Sequence, residues 1–182
     1  THFKDHGLFR ASASSEYNTV SYNAWRAFNH EWDKDALSWA SAETVSAVTG
    51  LPSSTAAIFQ GTLGNWLQLE LPYKIYLNQF KFESRIQQPQ SPEELPGSGI
   101  VYGSNDEVNW EVVHSFSGVN YGGTTGTIRP VFTVNSTTSY SIYRLLVTAN
   151  YLPQSTFTSI GEWRLFGTPE TTTKYSTLHD GE

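Results

Sequence analysis

Cysteine and methionine are both absent from this 182-residue chain. Without thiols neither a disulfide framework nor a thiolate metal site can form, so stability has to come from a buried core, for which the chain is long enough. Charge is scarce too. Only 15% of residues are charged, and 11 basic against 17 acidic side chains give a net charge of −6 with no dense Lys or Arg cluster to follow a phosphate backbone. Nucleic acid is therefore not an expected partner. No apolar run reaches the roughly 18 residues of a membrane-spanning helix, so no membrane span is expected, and residues 1–10 lack a signal-peptide core. Catalytic signatures are missing as well: there is no Gly-x-Ser-x-Gly elbow, His-Glu-x-x-His helix, phosphate loop or cysteine nucleophile, and the histidines at 2, 6, 30, 114 and 179 are scattered. The chain reads as a protein that is not an enzyme.

Aromatic residues are plentiful at 14% of the chain. Short segments of β-branched and aromatic residues recur between Gly, Pro, Asn and Ser clusters, the pattern of an all-β, antiparallel sandwich. Eight strands are predicted, over 8–14, 66–71, 75–84, 100–104, 110–117, 127–134, 143–148 and 160–166. Between Ile75 and Phe82 the period of two is only partial, because Gln79 and Lys81 share a face with Ile75 and Leu77. Gly103-Ser104-Asn105-Asp106 followed by Asn109-Trp110 predicts a tight hairpin turn. Helical turns are expected only at 23–28 and 53–59. The three prolines within 87–99 place that stretch in a long excursion from the sheet. The domain is expected over 1–167, with 168–182 a polar, linker-like tail. Trp66, Leu69, Leu145, Val147, Trp163 and Leu165 are the expected core residues, with Trp39 and Trp110 also in core or edge packing.

Several pieces in order resemble one family. They are Ala11-Ser12-Ala13-Ser14-Ser15, Ala27-Phe28-Asn29 with Ser38-Trp39-Ala40-Ser41, and Gly64-Asn65-Trp66-Leu67-Gln68-Leu69-Glu70-Leu71. Later come Tyr102-Gly103-Ser104-Asn105-Asp106 with Asn109-Trp110, Tyr143-Arg144-Leu145, and Ile160-Gly161-Glu162-Trp163-Arg164-Leu165-Phe166-Gly167. Together these resemble the discoidin family, also called the coagulation factor 5/8 C-terminal domain, a galactose-binding-like group, over residues 8–167. The resemblance implies a jelly roll of about eight strands that binds ligands through loops at one end. It departs from the fucose-binding lectins, since no His precedes an Arg-x-Asp element at their spacing.

The resemblance further implies a non-catalytic, lectin-like adhesion module for a cell-surface or matrix glycan, at an extracellular or virion surface. The alternative is a structural decoration domain that contacts protein partners in a larger assembly. Three loops carry aromatic, amide and guanidinium groups suited to sugar C–H faces and hydroxyls, namely Tyr22, Asn23 and Trp25, then Arg85, Gln87 and Gln88, then Asn150 and Tyr151. Arg85 has a second reading as an ion pair with Glu83 or Glu94, and Trp25 and Trp32 have a second reading as plugs of the barrel. Many sugar-binding relatives hold a structural Ca²⁺ where the loop after the first helical turn meets the last strand. Here Asn29, Glu31, Asp33, Asp35 and Ser38 with Glu162 supply hard oxygen donors for that ion. The other reading of this stretch is a solvated acidic loop with Glu162 in a salt bridge.

Overall fold

A computed structural model describes residues 7–18, 20–31, 38–85, 92–122 and 129–170. Ten strands run in the order β1 (Arg10–Ala13), β2 (Trp39–Ala40), β3 (Ala57–Phe59), β4 (Thr62–Glu83), β5 (Pro96–Ser104), β6 (Glu111–Phe116), β7 (Val131–Thr133), β8 (Tyr140–Asn150), β9 (Ser159–Ile160) and β10 (Glu162–Pro169). Two 3₁₀ turns, Ala24–Phe28 and Pro92–Glu94, are the helical elements of the described residues. All strand pairs are antiparallel, in an eight-stranded sheet whose main path is β1-β4-β8-β5-β6 and a two-stranded sheet of β2 and β9.

The strands predicted at 66–71 and 75–84 are one strand. β4 spans 22 residues, its first half pairing with β1, β3 and β8 and its second with β10 and β7. Its pairing with β8 shifts register between Glu70 and Ile75, across Pro72, which has no N–H to donate to a ladder. Core burial follows odd numbers through Leu67, Leu69, Leu71, Ile75 and Leu77, then even numbers at Phe80 and Phe82. The change of phase falls at Asn78 and Gln79, opposite the register shift between Phe166 and Gly167 of β10. An extra residue in one strand flips every later side chain to the other face. A β-bulge is thus the physical reason for the broken alternation in the sequence.

The core lies between the two halves of β4. Leu67, Leu69, Phe80, Phe82, Leu145 and Trp163 are all buried in one cluster. Phe80 stacks on Phe132 with centroids 4.6 Å apart, and Trp163 meets Phe82 at 6.4 Å and Phe28 at 5.9 Å. Of the expected core residues, Leu69, Leu145, Val147 and Trp163 are buried and Leu165 is half-buried against them. Trp66 differs. Strand alternation puts it on the opposite face from Leu67 and Leu69, where its ring lies 4.2 Å from the Arg144 guanidinium. Phe59 and Trp110 enclose the same guanidinium at 4.4 and 4.3 Å, forming a small aromatic cap on the outer face. Phe59 reaches the cap from β3, so the 53–59 segment expected to be helical ends instead in a strand paired with β4. The hairpin joining β5 and β6 forms as predicted, with Asp106 Oδ1 accepting the backbone N–H groups of Val108 and Asn109 at 2.9 and 2.8 Å. β10 continues past the expected boundary to Pro169.

Trp163 is 1% exposed and sits where β10 meets the first 3₁₀ turn. Truncation of such a ring removes packing on both sides, so Trp163→Ala is expected to cost about 3 to 5 kcal/mol in denaturant melts. A loss below about 1 kcal/mol would contradict this placement.

Candidate functional site

β4, β5 and β8 all end or begin at one pole of the sandwich, and their connecting loops meet there. Arg85 lies two residues past β4, and the 3₁₀ turn Pro92–Glu94 leads into β5. The 150–158 loop is tied to that turn by hydrogen bonds from Tyr151 N to Leu95 O at 2.8 Å and from Leu152 N to Glu93 O at 3.2 Å. It is closed on itself by Asn150, whose Nδ2 donates to Phe157 O at 3.0 Å while its Oδ1 accepts from Thr158 Oγ1 at 2.8 Å. The 14–23 loop is pinned by Trp39 Nε1 donating to Ser15 O at 3.0 Å and Tyr17 N donating to Ala40 O at 2.9 Å. Glu16 caps the first 3₁₀ turn, accepting from Ala24 N at 2.8 Å and from Asn23 Nδ2 at 3.1 Å.

The groups brought together are Arg85, Glu94 and three rings. Arg85 Nη2 donates to Glu94 Oε1 at 2.9 Å. The Arg85 Cζ atom lies 5.8 Å from the Tyr22 ring centroid and 5.6 Å from that of Phe157, and Tyr17 touches both rings at 5.7 and 5.4 Å. Tyr17 is exposed while Tyr22 and Phe157 are half-buried, so the rings form a partly open rim over a buried ion pair. Arg85 and Glu94 are only 6% and 4% exposed. Burial outweighs the Arg85 cation and pushes the Glu94 carboxyl up to about 7. Glu94 Oε2 and Arg85 Nε are buried and make no hydrogen bond among the described residues.

Arg85 is therefore the partner of Glu94, one of the two carboxylates named for it from sequence, and its side chain is buried. Tyr22 joins it. Asn23 is turned onto Glu16, and Asn150 is buried and spent on its own loop. Tyr151 sits to the side, donating to Asn120 Oδ1 at 3.0 Å with its ring against Tyr121. Trp25 is 52% exposed and stacks with Arg26 at 4.7 Å, so it does not plug the barrel. Gln87 and Gln88 lie outside the described residues, as does Trp32. Sequence reading did not name Tyr17 and Phe157, which lie on the loops it singled out, and left Glu94 as an alternative. The signal for Glu94 was an acidic pair inside a Pro-rich excursion that returns to an arginine.

No family model and no curated protein matches the sequence. Solved structures do match. A Clostridium perfringens module, CpGH89CBM32-5, solved with GalNAc-β-1,3-galactose, superposes with a TM-score of 0.63 at 17% identity, over 87% of this chain and 95% of that one. The family 32 carbohydrate-binding module of C. perfringens NanJ, solved with galactose, gives 0.58 at 14% identity over 86% and 92%. A fucolectin from striped bass (Morone saxatilis) serum gives 0.59 at 12% identity over 91% of this chain and 49% of that one. The fold is the discoidin-type, galactose-binding-like sandwich.

In this discoidin-type frame the last strand delivers Glu162 to the loop after the first 3₁₀ turn. Its side chain is 2% exposed, with Oε2 accepting from His30 N at 2.9 Å and Oε1 lying 3.5 Å from His30 Nδ1. Burial pushes this carboxyl up to about 7. Asn29 and Glu31 bond to each other, through Asn29 Nδ2 to Glu31 Oε2 at 3.3 Å and Glu31 N to Asn29 Oδ1 at 3.0 Å. Ser38 is buried with its hydroxyl on Ser159 Oγ at 3.2 Å, while Asp33 and Asp35 lie outside the described residues. Among the described residues no three or more His, Asp or Glu side chains cluster as a metal site. The described residues thus supply one buried carboxylate beside the expected loop, part of the six to eight oxygens Ca²⁺ takes. A groove of about 410 Å³ runs from Glu162 and His30 past Phe9 and Tyr73 to Phe166, between β1, the bend of β4 and β10. No helix among the described residues is long and apolar enough to cross a membrane.

Two outcomes follow for the buried pair. Breaking it by Arg85→Ala leaves Glu94 buried without its cation and is expected to cost about 3 to 5 kcal/mol, read as a lower denaturation midpoint. Glu94 takes up protons more readily folded, near pH 7, than at the 4.5 of an ordinary glutamate. Its contribution to stability is then complete below about pH 4.5 and is lost as pH rises through about 7. Glu94→Gln should flatten the pH dependence of unfolding in that window, and an unchanged profile would contradict the shift.

Proposed function

We propose that the protein is a non-catalytic, lectin-like module that captures a cell-surface or matrix glycan at the pole built by Tyr17, Tyr22, Phe157 and Arg85. The observation that carries this reading is the pair of rings, Tyr22 and Phe157, held over a buried guanidinium with Tyr17 packed against both, on loops locked from beneath. A sugar offers an apolar C–H face and fixed hydroxyls, and recognition needs an aromatic surface beside oriented donors and acceptors. Half-buried Tyr22 and Phe157 supply the surface. Arg85 and Glu94, bonded through Nη2 and Oε1 at 2.9 Å, lie buried beneath these rings and fix the loops that carry them. Exposed Trp25 and half-buried Tyr151 extend the aromatic area on flanking loops, and Gln87 and Gln88 follow Arg85 in sequence. Two structural neighbours were solved with galactose-containing sugars, which makes galactose and GalNAc the first ligands to test.

A shallow rim buries little ligand surface, so affinity for one site falls at about millimolar to micromolar, and useful adhesion comes from several copies on an extracellular or virion surface. Ca²⁺, when bound, would act structurally: Glu162 with oxygens of the 29–38 loop, including Asn29, Glu31, Asp33, Asp35 and Ser38, would hold it and join that loop to β10.

A glycan array tests the main reading. The parent should give selective signals that fall at least about tenfold in Tyr22→Ala and Phe157→Ala while both variants keep near-parental melting, since a tenfold loss needs only about 1.4 kcal/mol of contact. Absence of any selective signal from the parent would favour the protein-contacting decoration role instead. The calcium reading has its own test in thermal melts with Ca²⁺ and with chelator. A cation binding only the folded state at a hundredfold excess over Kd adds about 2.7 kcal/mol, a gain expected in the parent and lost in Glu162→Gln. An identical midpoint under both treatments would remove calcium from the account.

A further inference from the structure

The chain contains ten asparagines, and in the folded protein nine of them use the side-chain amide in a hydrogen bond. Asn65 bridges Thr44 and Thr158 in the interior, and Asn105 donates to Ser139 O while accepting from Ser141 N. Asn135 differs. Its side chain is exposed and makes no hydrogen bond among the described residues. It is also the asparagine that opens an Asn-x-Ser/Thr triplet, Asn135-Ser136-Thr137. Thr137 is likewise exposed with an unbonded hydroxyl, while Ser136 between them donates to Thr138 O at 2.6 Å.

The triplet lies on the loop joining β7 to β8, outside any regular element. Both neighbours of the loop are fixed: Val134 N donates to Asn78 O at 2.7 Å, and Ser139 is buried and donates to Glu170 Oε1 at 2.9 Å. Beside it an open depression of about 410 Å³ is lined by Asn78, Gln79 and the triplet itself, and Asn135 is exposed among the described residues. The loop enters β8 at Tyr140, whereas the ring-bearing pole begins at Asn150, the other end of the same strand. At 3.3 Å per residue the two ends lie about 30 Å apart.

We propose that Asn135 is an acceptor site for an N-linked glycan, modified when the chain passes through a secretory pathway that carries an oligosaccharyltransferase. The donor class is a lipid-diphosphate-linked oligosaccharide. A bond forms between Asn135 Nδ2 and the anomeric carbon of the first sugar, the bond from that carbon to the diphosphate oxygen breaks, the amide gives up one proton, and the lipid diphosphate leaves with the electron pair. Among the described residues no hydrogen bond is set against this step, since neither the Asn135 amide nor the Thr137 hydroxyl has a partner there to be released from. A glycan on this loop would project from the pole opposite Tyr22 and Phe157, leaving those rings accessible.

The test is secretion of the chain from a eukaryotic cell line, with intact-mass measurement before and after treatment with an asparagine-glycan amidase. The expected result is a parent heavier by one glycan, reduced by the amidase to the polypeptide mass with Asn135 converted to aspartate. N135Q and T137A should both be secreted unmodified, and because neither side chain is bonded among the described residues they should melt with the parent. A parent secreted without modification, while a reference glycoprotein from the same cells is occupied, would overturn the assignment. So would a mass increase that persists in N135Q.

Discussion

β4 is the constraint on which the rest of the structure depends. One strand of 22 residues serves as an interior member of both halves of the sandwich, so five other strands take their register from it. Its irregular points are placed accordingly. Pro72 lies where the strand passes from its β8-paired half to its β10-paired half, and the bulge at Asn78 and Gln79 turns Phe80 and Phe82 into the core that Leu67 and Leu69 line from the other side. Without the bulge the two phenylalanines would face outward and the stack with Phe132 and Trp163 could not form. The same strand then delivers Arg85, just beyond its last residue, to the pole where the loops converge.

At that pole a buried charge pair organises the loops. Taking a guanidinium and a carboxylate out of water is costly, and the interaction returns that cost only with close geometry. The geometry here draws on three segments at once: Arg85 after β4, Glu94 before β5, and Ser155 from the loop after β8, whose hydroxyl lies 3.4 Å from Glu94 Oε1. Tyr22 from the first loop and Phe157 from the third close over the guanidinium. A pair that touches every loop holds their rings in one arrangement, which would lower the ordering cost of the proposed binding. The aromatic cap around Arg144 is the counterpart on the outer face, where three rings and the Gln68 side-chain oxygen shelter a single cation.

Fold class and most strand positions were legible because apolar alternation and turn residues are local signals. The bulge was legible too, as a failure of the period between Ile75 and Phe82, although its meaning required knowing what pairs with β4. Trp66 was misplaced for a simple reason: 66 and 69 differ by an odd number, so one unbulged strand cannot put both on the same face. Of the site, the loops were readable from composition, but the roles of individual side chains were not. Asn23 and Asn150 have the chemistry of sugar ligands and are held by Glu16 and by their own loop, contacts set by distant chain segments. Arg85 could be paired with Glu83 or Glu94 from sequence. The fold decides between them by giving Glu83 to Lys81 and Arg129, at 2.9 and 2.8 Å.

Ligand capture is proposed at the pole of Tyr17, Tyr22, Phe157 and Arg85, not in the groove between β1 and β10. Backbone amide chemical shifts recorded while galactose is titrated into the isotopically labelled protein test this directly. Capture at the pole should give saturable shifts concentrated in residues 15–23, at Arg85 and in 150–158, with those of Phe9, Tyr73 and Phe166 unmoved. Shifts confined to the groove around Glu162 and Phe166, with Tyr22 and Phe157 unaffected, would contradict it.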